Sequence, residues 1–116
     1  MIDALLSKLD NDYTLRLLSD MIRIPSVVGQ EGQLARYLQA ELEHLGLQAE
    51  LHEIEPGRPN VYAGLDGTAP GRRLHFNGHT DTVEVCQGWT KDPFDPVVAD
   101  DRIYGLGACD MKAGLA

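Results

Sequence analysis

Cysteine is scarce: Cys86 and Cys109 are the only two among 116 residues. Two thiols cannot staple a small disulfide scaffold, so each is expected as a small buried or half-buried side chain in a reducing compartment. A two-cysteine zinc site stays open as the alternative. Positive charge is also short. Lys and Arg total 10 against 18 Asp and Glu, a formal net charge of −8, and the basic residues are too scattered to form a face for nucleic acid or an anionic membrane. No apolar run reaches the ~20 residues of a membrane-spanning helix. Met1-Ile2-Asp3 opens the chain where a signal peptide would place a basic and then an apolar stretch. The expectation is a cytoplasmic protein with neither nucleic acid nor membrane as partner. With 43% hydrophobic residues, the chain suffices for one ordinary domain with a core and not for a second.

What is present is patterned. Ile2, Leu5, Leu6 and Leu9 recur on one face of a first helix, interrupted at Asn11-Asp12. A second helix is expected from that Asn/Asp cap, with Leu15, Leu18 and Ile22 as its stripe, Leu17 and Met21 beside it, and Pro25 forbidding continuation. Leu34, Leu38, Leu42 and Leu45, closed by Gly46, predict a third helix. From Leu47 the period drops to two. Leu47, Ala49 and Leu51 mark one strand, Pro56-Gly57-Arg58-Pro59 a turn, and Val61, Ala63 and Leu65 a second strand. Leu74 and Phe76 predict a third strand ending at Asn77-Gly78. Val97 to Tyr104 reads as a short hairpin around Asp100-Asp101. A last helix begins near Lys112, and the chain looks cut in mid-element. Helices followed by strands predict an α/β fold with helices packed on a mixed sheet.

Two segments carry chemistry. Gly78-His79-Thr80-Asp81 follows a predicted strand, and ligands gather at the carboxyl ends of strands in open α/β sheets. An imidazole can bind a metal through one nitrogen while a carboxylate holds the other N–H. The plainer reading is a polar turn. In Tyr104-Gly105-Leu106-Gly107-Ala108-Cys109-Asp110-Met111-Lys112, two close glycines let the backbone approach a neighbour tightly, and Asp110 is either a ligand or a carboxylate capping the next helix. The glycine pair lacks the third glycine of a dinucleotide fingerprint and the frame of a phosphate-binding loop. His75, between Leu74 and Phe76, is expected as a sheet-face or buried hydrogen-bonded residue, and His44 and His52 as surface residues. Cys86 and Cys109 are expected to pack rather than ligate, and Trp89 and Phe94 to anchor the segment after the first motif. Lys112 either positions the Asp110 backbone or pairs with an acid.

Taken in order, Gly78-His79-Thr80-Asp81-Thr82-Val83, Gly88-Trp89-Thr90-Lys91-Asp92-Pro93-Phe94, Asp101-Arg102-Ile103-Tyr104-Gly105-Leu106-Gly107 and Asp110-Met111-Lys112 closely resemble the amino-terminal part of the M20 family of zinc-dependent amidohydrolases and exopeptidases. The wording is nearest to its acetylornithine deacetylase and succinyl-diaminopimelate desuccinylase branch. Ile22-Arg23-Ile24-Pro25-Ser26-Val27, Leu45-Gly46-Leu47 and Pro59-Asn60-Val61 extend the resemblance over nearly the whole chain.

The resemblance implies a pair of zinc ions, with cobalt as a substitute. His79 would be a ligand of one, Asp110 would bridge both, and Asp81 would act catalytically by orienting the imidazole. It also implies hydrolysis of an N-acyl amino acid, such as N-acetylornithine, or of a short peptide by a carboxypeptidase or dipeptidase relative. The family's consecutive Glu pair, later acid and late His are not among these 116 residues, Ala113 stands where many relatives have Gly, and Glu84 replaces a frequent Pro. Residues 1–116 are thus expected as the amino-terminal portion of a catalytic, metal-binding domain, with the rest of that domain and any second domain outside them. Two protein donors for one metal and one for the other predict weak binding and no useful catalysis by this stretch alone. The rival from another class is a non-catalytic module that self-associates through exposed edges, as a homodimer or beyond.

Overall fold

The computed structural model describes residues 1–116. Its first three helices are α1 (Ile2–Leu6), α2 (Asn11–Arg23) and α3 (Gly32–His44). The Asp10 carboxylate accepts from the Tyr13 N–H at 2.9 Å and so caps α2 one residue earlier than the predicted Asn11-Asp12. The chain leaves α2 at extended Ile24, ahead of Pro25. Every residue of α1 is exposed, so its apolar face finds no partner here.

The core lies between α2 and α3. Leu17 and Met21 meet Leu34 and Leu38, with Tyr13, Ile24, Tyr37, Val61 and Leu115 packed around them. The buried stripe of α2 is Leu17, Leu18, Met21 and Ile22, while Leu15 is exposed, a small rotation from the predicted face. Truncating the fully buried Leu34 to Ala would cost roughly 2–5 kcal/mol by the usual cost of a core cavity. Helix α3 also lies on a hairpin of β1 (Gln48–Glu55) and β2 (Arg58–Gly64), antiparallel with Leu51 opposite Val61. Gly46 takes φ +84° at the end of α3 and Gly57 takes φ +78° in the hairpin turn, the left-handed conformations that both sequence positions required.

The second half holds a shorter hairpin, β3 (Val97–Ala99) with β4 (Arg102–Tyr104), and a closing turn of helix, α4 (Ala113–Leu115). Asp100 and Asp101 take φ +52° and +57°, the pair of left-handed residues that a two-residue hairpin turn demands, as their sequence suggested. The α/β composition stands, but the strands form two separate antiparallel pairs rather than one mixed sheet. The single parallel contact is a bridge between Val27 and Thr82.

The predicted third strand does not form. Residues 65–78 make no backbone hydrogen bond, and Leu74 and Phe76 are 76% and 85% exposed, because no neighbouring strand lies beside them to complete a ladder. Cys86 and Cys109 are likewise free and exposed rather than buried. The radius of gyration is 15.7 Å, against roughly 13 Å for a compact domain of this length. Only nine hydrophobic side chains are buried, and seven of them lie on α2 and α3, which locates the core between those two helices.

Candidate functional site

Two chain segments meet beyond the carboxyl end of α2. The first, residues 79–82, is held by the loop that follows that helix. Thr82 N–H donates to the Ser26 carbonyl at 2.8 Å, Val28 N–H donates to the Thr82 carbonyl at 3.3 Å, and the buried Ser26 hydroxyl donates to the Thr80 carbonyl at 2.8 Å. The second is a wide turn, Ala108–Lys112, whose closing bond runs from Lys112 N–H to the Gly107 carbonyl at 2.9 Å. It is broken at Asp110 and Met111, whose backbones are non-helical, with a cis bond between them.

Gly107 shows why the glycine pair stands before that turn. Its φ is +77°, and a Cβ there would sit 2.5 Å from the Thr82 methyl. A Cβ on Gly105 would meet Ile22 at the same distance. Side chains at either place would push the turn away from α2 and from residues 79–82. The predicted close approach is therefore made to the protein's own chain.

His79 and Asp110 face one another across the gap between these segments. The His79 Nε2 lies 2.9 Å from Asp110 Oδ1. The other ring nitrogen, Nδ1, lies 3.0 Å from the Asp81 carbonyl oxygen and 3.3 Å from its carboxylate. His79 N–H also donates to the Met111 sulfur at 3.2 Å. The Asp110 hydrogen bond is the main cause raising the His79 pKa, followed by the bond to the Asp81 backbone. Partly exposed, this cluster opens to solvent on the Asp110 side. Asp110 caps nothing, since α4 has no side-chain cap. Its carboxylate is turned to the imidazole instead.

One imidazole nitrogen and one carboxylate oxygen are donors that Zn²⁺ accepts, and two bonds of roughly 2.1 Å at a tetrahedral angle would put such atoms roughly 3.4 Å apart. The observed 2.9 Å is within a small rotation of that value. The donor set fits the ion in kind but not in number. Asp81 stands against the opposite ring nitrogen, and no third His, Cys, Asp or Glu is placed to share a metal with His79 Nε2 and Asp110, whereas three or four protein ligands are usual.

The other sequence candidates lie outside the cluster. His75 is exposed on the unpaired stretch and makes no hydrogen bond, contrary to its expected place on a sheet face or in the interior, because the strand that would have held it is missing. His44 and His52 are on the surface, His52 beside Glu50 at 3.0 Å. Trp89 is 38% exposed and Phe94 half-buried. Two residues matter that sequence reasoning missed or left open. Ser26 had no role assigned; the signals were its place directly after Pro25 and within the segment Ile22–Val27 that shares the family resemblance. Lys112 pairs with no acid. Its buried ammonium donates to the carbonyls of Met21 at 2.8 Å and Ile24 at 2.9 Å, and burial pushes its pKa down to about 8.

Residues 75–116 match the family described as Peptidase family M20/M25/M40. The chain is 38% identical over 102 residues to the succinyl-diaminopimelate desuccinylase of Cereibacter sphaeroides, a match covering 86% of this chain and 27% of that protein. It is 41% identical over 106 residues to the enzyme of the same name from Gluconacetobacter diazotrophicus, covering 88% and 27%. The desuccinylase of Methylorubrum extorquens is 44% identical over 108 residues, covering 88% and 28%. The chain thus spans about a quarter of the length of the curated relatives it matches.

Proposed function

We propose, on the footing that residues 75–116 match the M20/M25/M40 peptidase family, that this chain supplies one face of the metal site of an amide hydrolase. The observation that carries the proposal is the approach of His79 Nε2 to Asp110 Oδ1 at 2.9 Å, with Asp81 against the opposite ring nitrogen. His79 and Asp110 would hold a divalent metal, zinc or cobalt. Asp81 would fix the imidazole tautomer by accepting from Nδ1–H, leaving Nε2 with its lone pair free to ligate. A metal held there supplies Lewis-acid activation of an amide carbonyl and of water. Asp110 adds a negative charge close to the imidazole, which offsets cation charge and draws a cation to the open side of the cluster.

The substrate class that follows is the amide of an N-acyl amino acid. An N-succinyl amide is favoured by the names of the relatives, with N-acetylornithine and short peptides as the competing substrates. The free, exposed thiols of Cys86 and Cys109 suit a reducing compartment such as the cytoplasm. As to position in a longer polypeptide, we assign residues 1–116 to the amino-terminal part of the catalytic domain.

The two-donor count favours a second statement about the isolated chain. With no third ligand in reach, it binds zinc weakly and hydrolyses nothing at a useful rate. Calorimetric titration with Zn²⁺ and Co²⁺ tests the site. Weak binding that disappears in both His79→Ala and Asp110→Asn is expected, and affinity unchanged in either variant would remove that residue from the site. In a full-length protein, assay on N-succinyl and N-acetyl amino acids beside a dipeptide panel decides the substrate. Activity on dipeptides alone would overturn the acyl-amino-acid assignment.

A further inference from the structure

Resting on the reading of His79 and Asp110 as partners in one site, we propose that Lys112 is a positioning residue. Together with Ser26 it sets the distance between the two by tying both of their segments to the same turn after α2. The geometry is specific. Lys112 lies two residues beyond Asp110 and is 1% exposed, and its Nζ reaches the carbonyls of Met21 and Ile24, at 2.8 and 2.9 Å. Those carbonyls belong to the end of a helix, where the dipole favours a cation; that of Met21 also accepts from Ile24 N–H at 3.2 Å, and the lysine is its second donor.

Ser26 lies two residues beyond Ile24, is 0% exposed, and holds the other half of the site. Its hydroxyl donates to the Thr80 carbonyl and its own carbonyl accepts from Thr82 N–H, on either side of Asp81. The residues 21–26 are therefore a common base plate. Asp110 is fixed to it through Lys112, and His79 through Ser26. A helix needs no lysine from 91 residues away merely to end, and ordinary helix ends are satisfied by water or by the next turn of chain. What the long-range tie adds is registration of one ligand segment against the other.

A positioning role has a spectroscopic signature that a purely structural one lacks. In long-range ¹H–¹⁵N imidazole spectra of the ¹⁵N-labelled 116-residue chain, the hydrogen bond to Asp110 sets the His79 ring shifts apart from those of exposed His44 and His75. In Lys112→Met, which keeps the bulk of the side chain and removes both donors, the His79 signals are expected to collapse toward those of His44 and His75. The amide shifts of α3 and of β1–β2 should stay in place. Zn²⁺ affinity should fall at least tenfold. His79 signals unchanged in a folded Lys112→Met would overturn the proposal. Should that variant fail to fold, Ser26→Ala decides, because it loosens the opposite tie by a single hydrogen bond: displaced His79 signals support the base plate, and unchanged ones overturn it. Failure of the metal reading looks different. Wild-type His79 signals that ignore added Zn²⁺ would defeat that reading while leaving the Lys112 effect measurable.

Discussion

Arg58 grips Glu31 at two points, its Nε 3.0 Å from Oε2 and its Nη2 2.9 Å from Oε1. The Gly29 N–H adds a third donor to Oε1 at 2.9 Å. Glu31 is 5% exposed and stands where α3 begins, while Arg58 opens β2, so one ion pair fixes the β1–β2 turn against the start of that helix. Paired and hydrogen-bonded to the guanidinium, the carboxyl is held down to a pKa of about 2.

That pair gives the fold an acid dependence of known sign. The carboxyl binds its proton less readily when folded than when unfolded, so its contribution is complete above the ordinary value of 4.5 and is lost as pH falls toward about 2. Glu31→Gln should cost roughly 2 kcal/mol at neutral pH, the usual worth of a hydrogen bond to a charged group. Urea denaturation of both proteins between these pH values is the check, and parallel stability curves would assign the acid sensitivity to other groups.

Beside the same ion pair, Gly32 leaves no room for a side chain. A Cβ there would sit 2.6 Å from the Gly57 carbonyl oxygen, which is backbone and cannot swing aside. Gly32→Ala should destabilise by about 1–3 kcal/mol through overpacking. Gly71→Ala, with open space around it, should leave the thermal midpoint almost unchanged. Equal midpoints for the two variants would show that the hairpin turn yields freely.

Much of this was legible in the sequence for local reasons. The Leu34–Leu38 spacing and Gly46 fix α3, and the alternation around Leu51 and Val61 with Gly57 between fixes the first hairpin. Asp100-Asp101 between Val97-Val98-Ala99 and Arg102-Ile103-Tyr104 fixes the second. Each signal lies within a few residues of its effect. Leu74 and Phe76 alternate just as clearly, yet alternation reports only which face a strand would bury and supplies no neighbour to pair with. At the site, His79, Asp81 and Asp110 were marked by residue type and the resemblance to a known family. Lys112 was marked as either positioning Asp110 or pairing with an acid, but the partners of both anchors were illegible, because a serine hydroxyl and a lysine meet backbone carbonyls 54 and 88 to 91 residues away and backbone acceptors leave no trace in sequence.

Metal affinity should follow the protonation of His79. Since Asp110 raises its pKa, the imidazole keeps its proton to higher pH than an isolated histidine, and that proton excludes a metal from Nε2. Zn²⁺ affinity is expected to fall as pH drops from about 8 to 6, approaching tenfold per unit once His79 is protonated. Asp110→Asn should weaken binding and also move the profile to lower pH. A pH-independent affinity would place the metal on other groups.

The uncovered apolar side chains predict association. Leu65, Leu74 and Phe76 are each at least 74% exposed on a stretch whose backbone donors and acceptors are unpaired within the chain. Sedimentation velocity should show mass growing with concentration, and Leu74→Lys combined with Phe76→Lys should shift the distribution toward monomer. A single monomeric species for the unaltered chain at high concentration would end this expectation.

The unpaired stretch also decides what may be changed without harm. Residues 65–78 carry the chain from the helical layer to the site, and their one polar side-chain contact is the fully solvated pair of Arg73 and Asp66. The seam between the two halves is made elsewhere, by Ser26 with Thr80 and Thr82, by Ile22 against Gly105, and by Lys112 with Met21 and Ile24. The connector is thus a tether rather than a strut. Doubling its length would cost only about 0.6 kcal/mol of closure entropy, and a protease nick within it would leave two pieces still clasped along the seam, with the facing pair of histidine and aspartate carried whole on the smaller one.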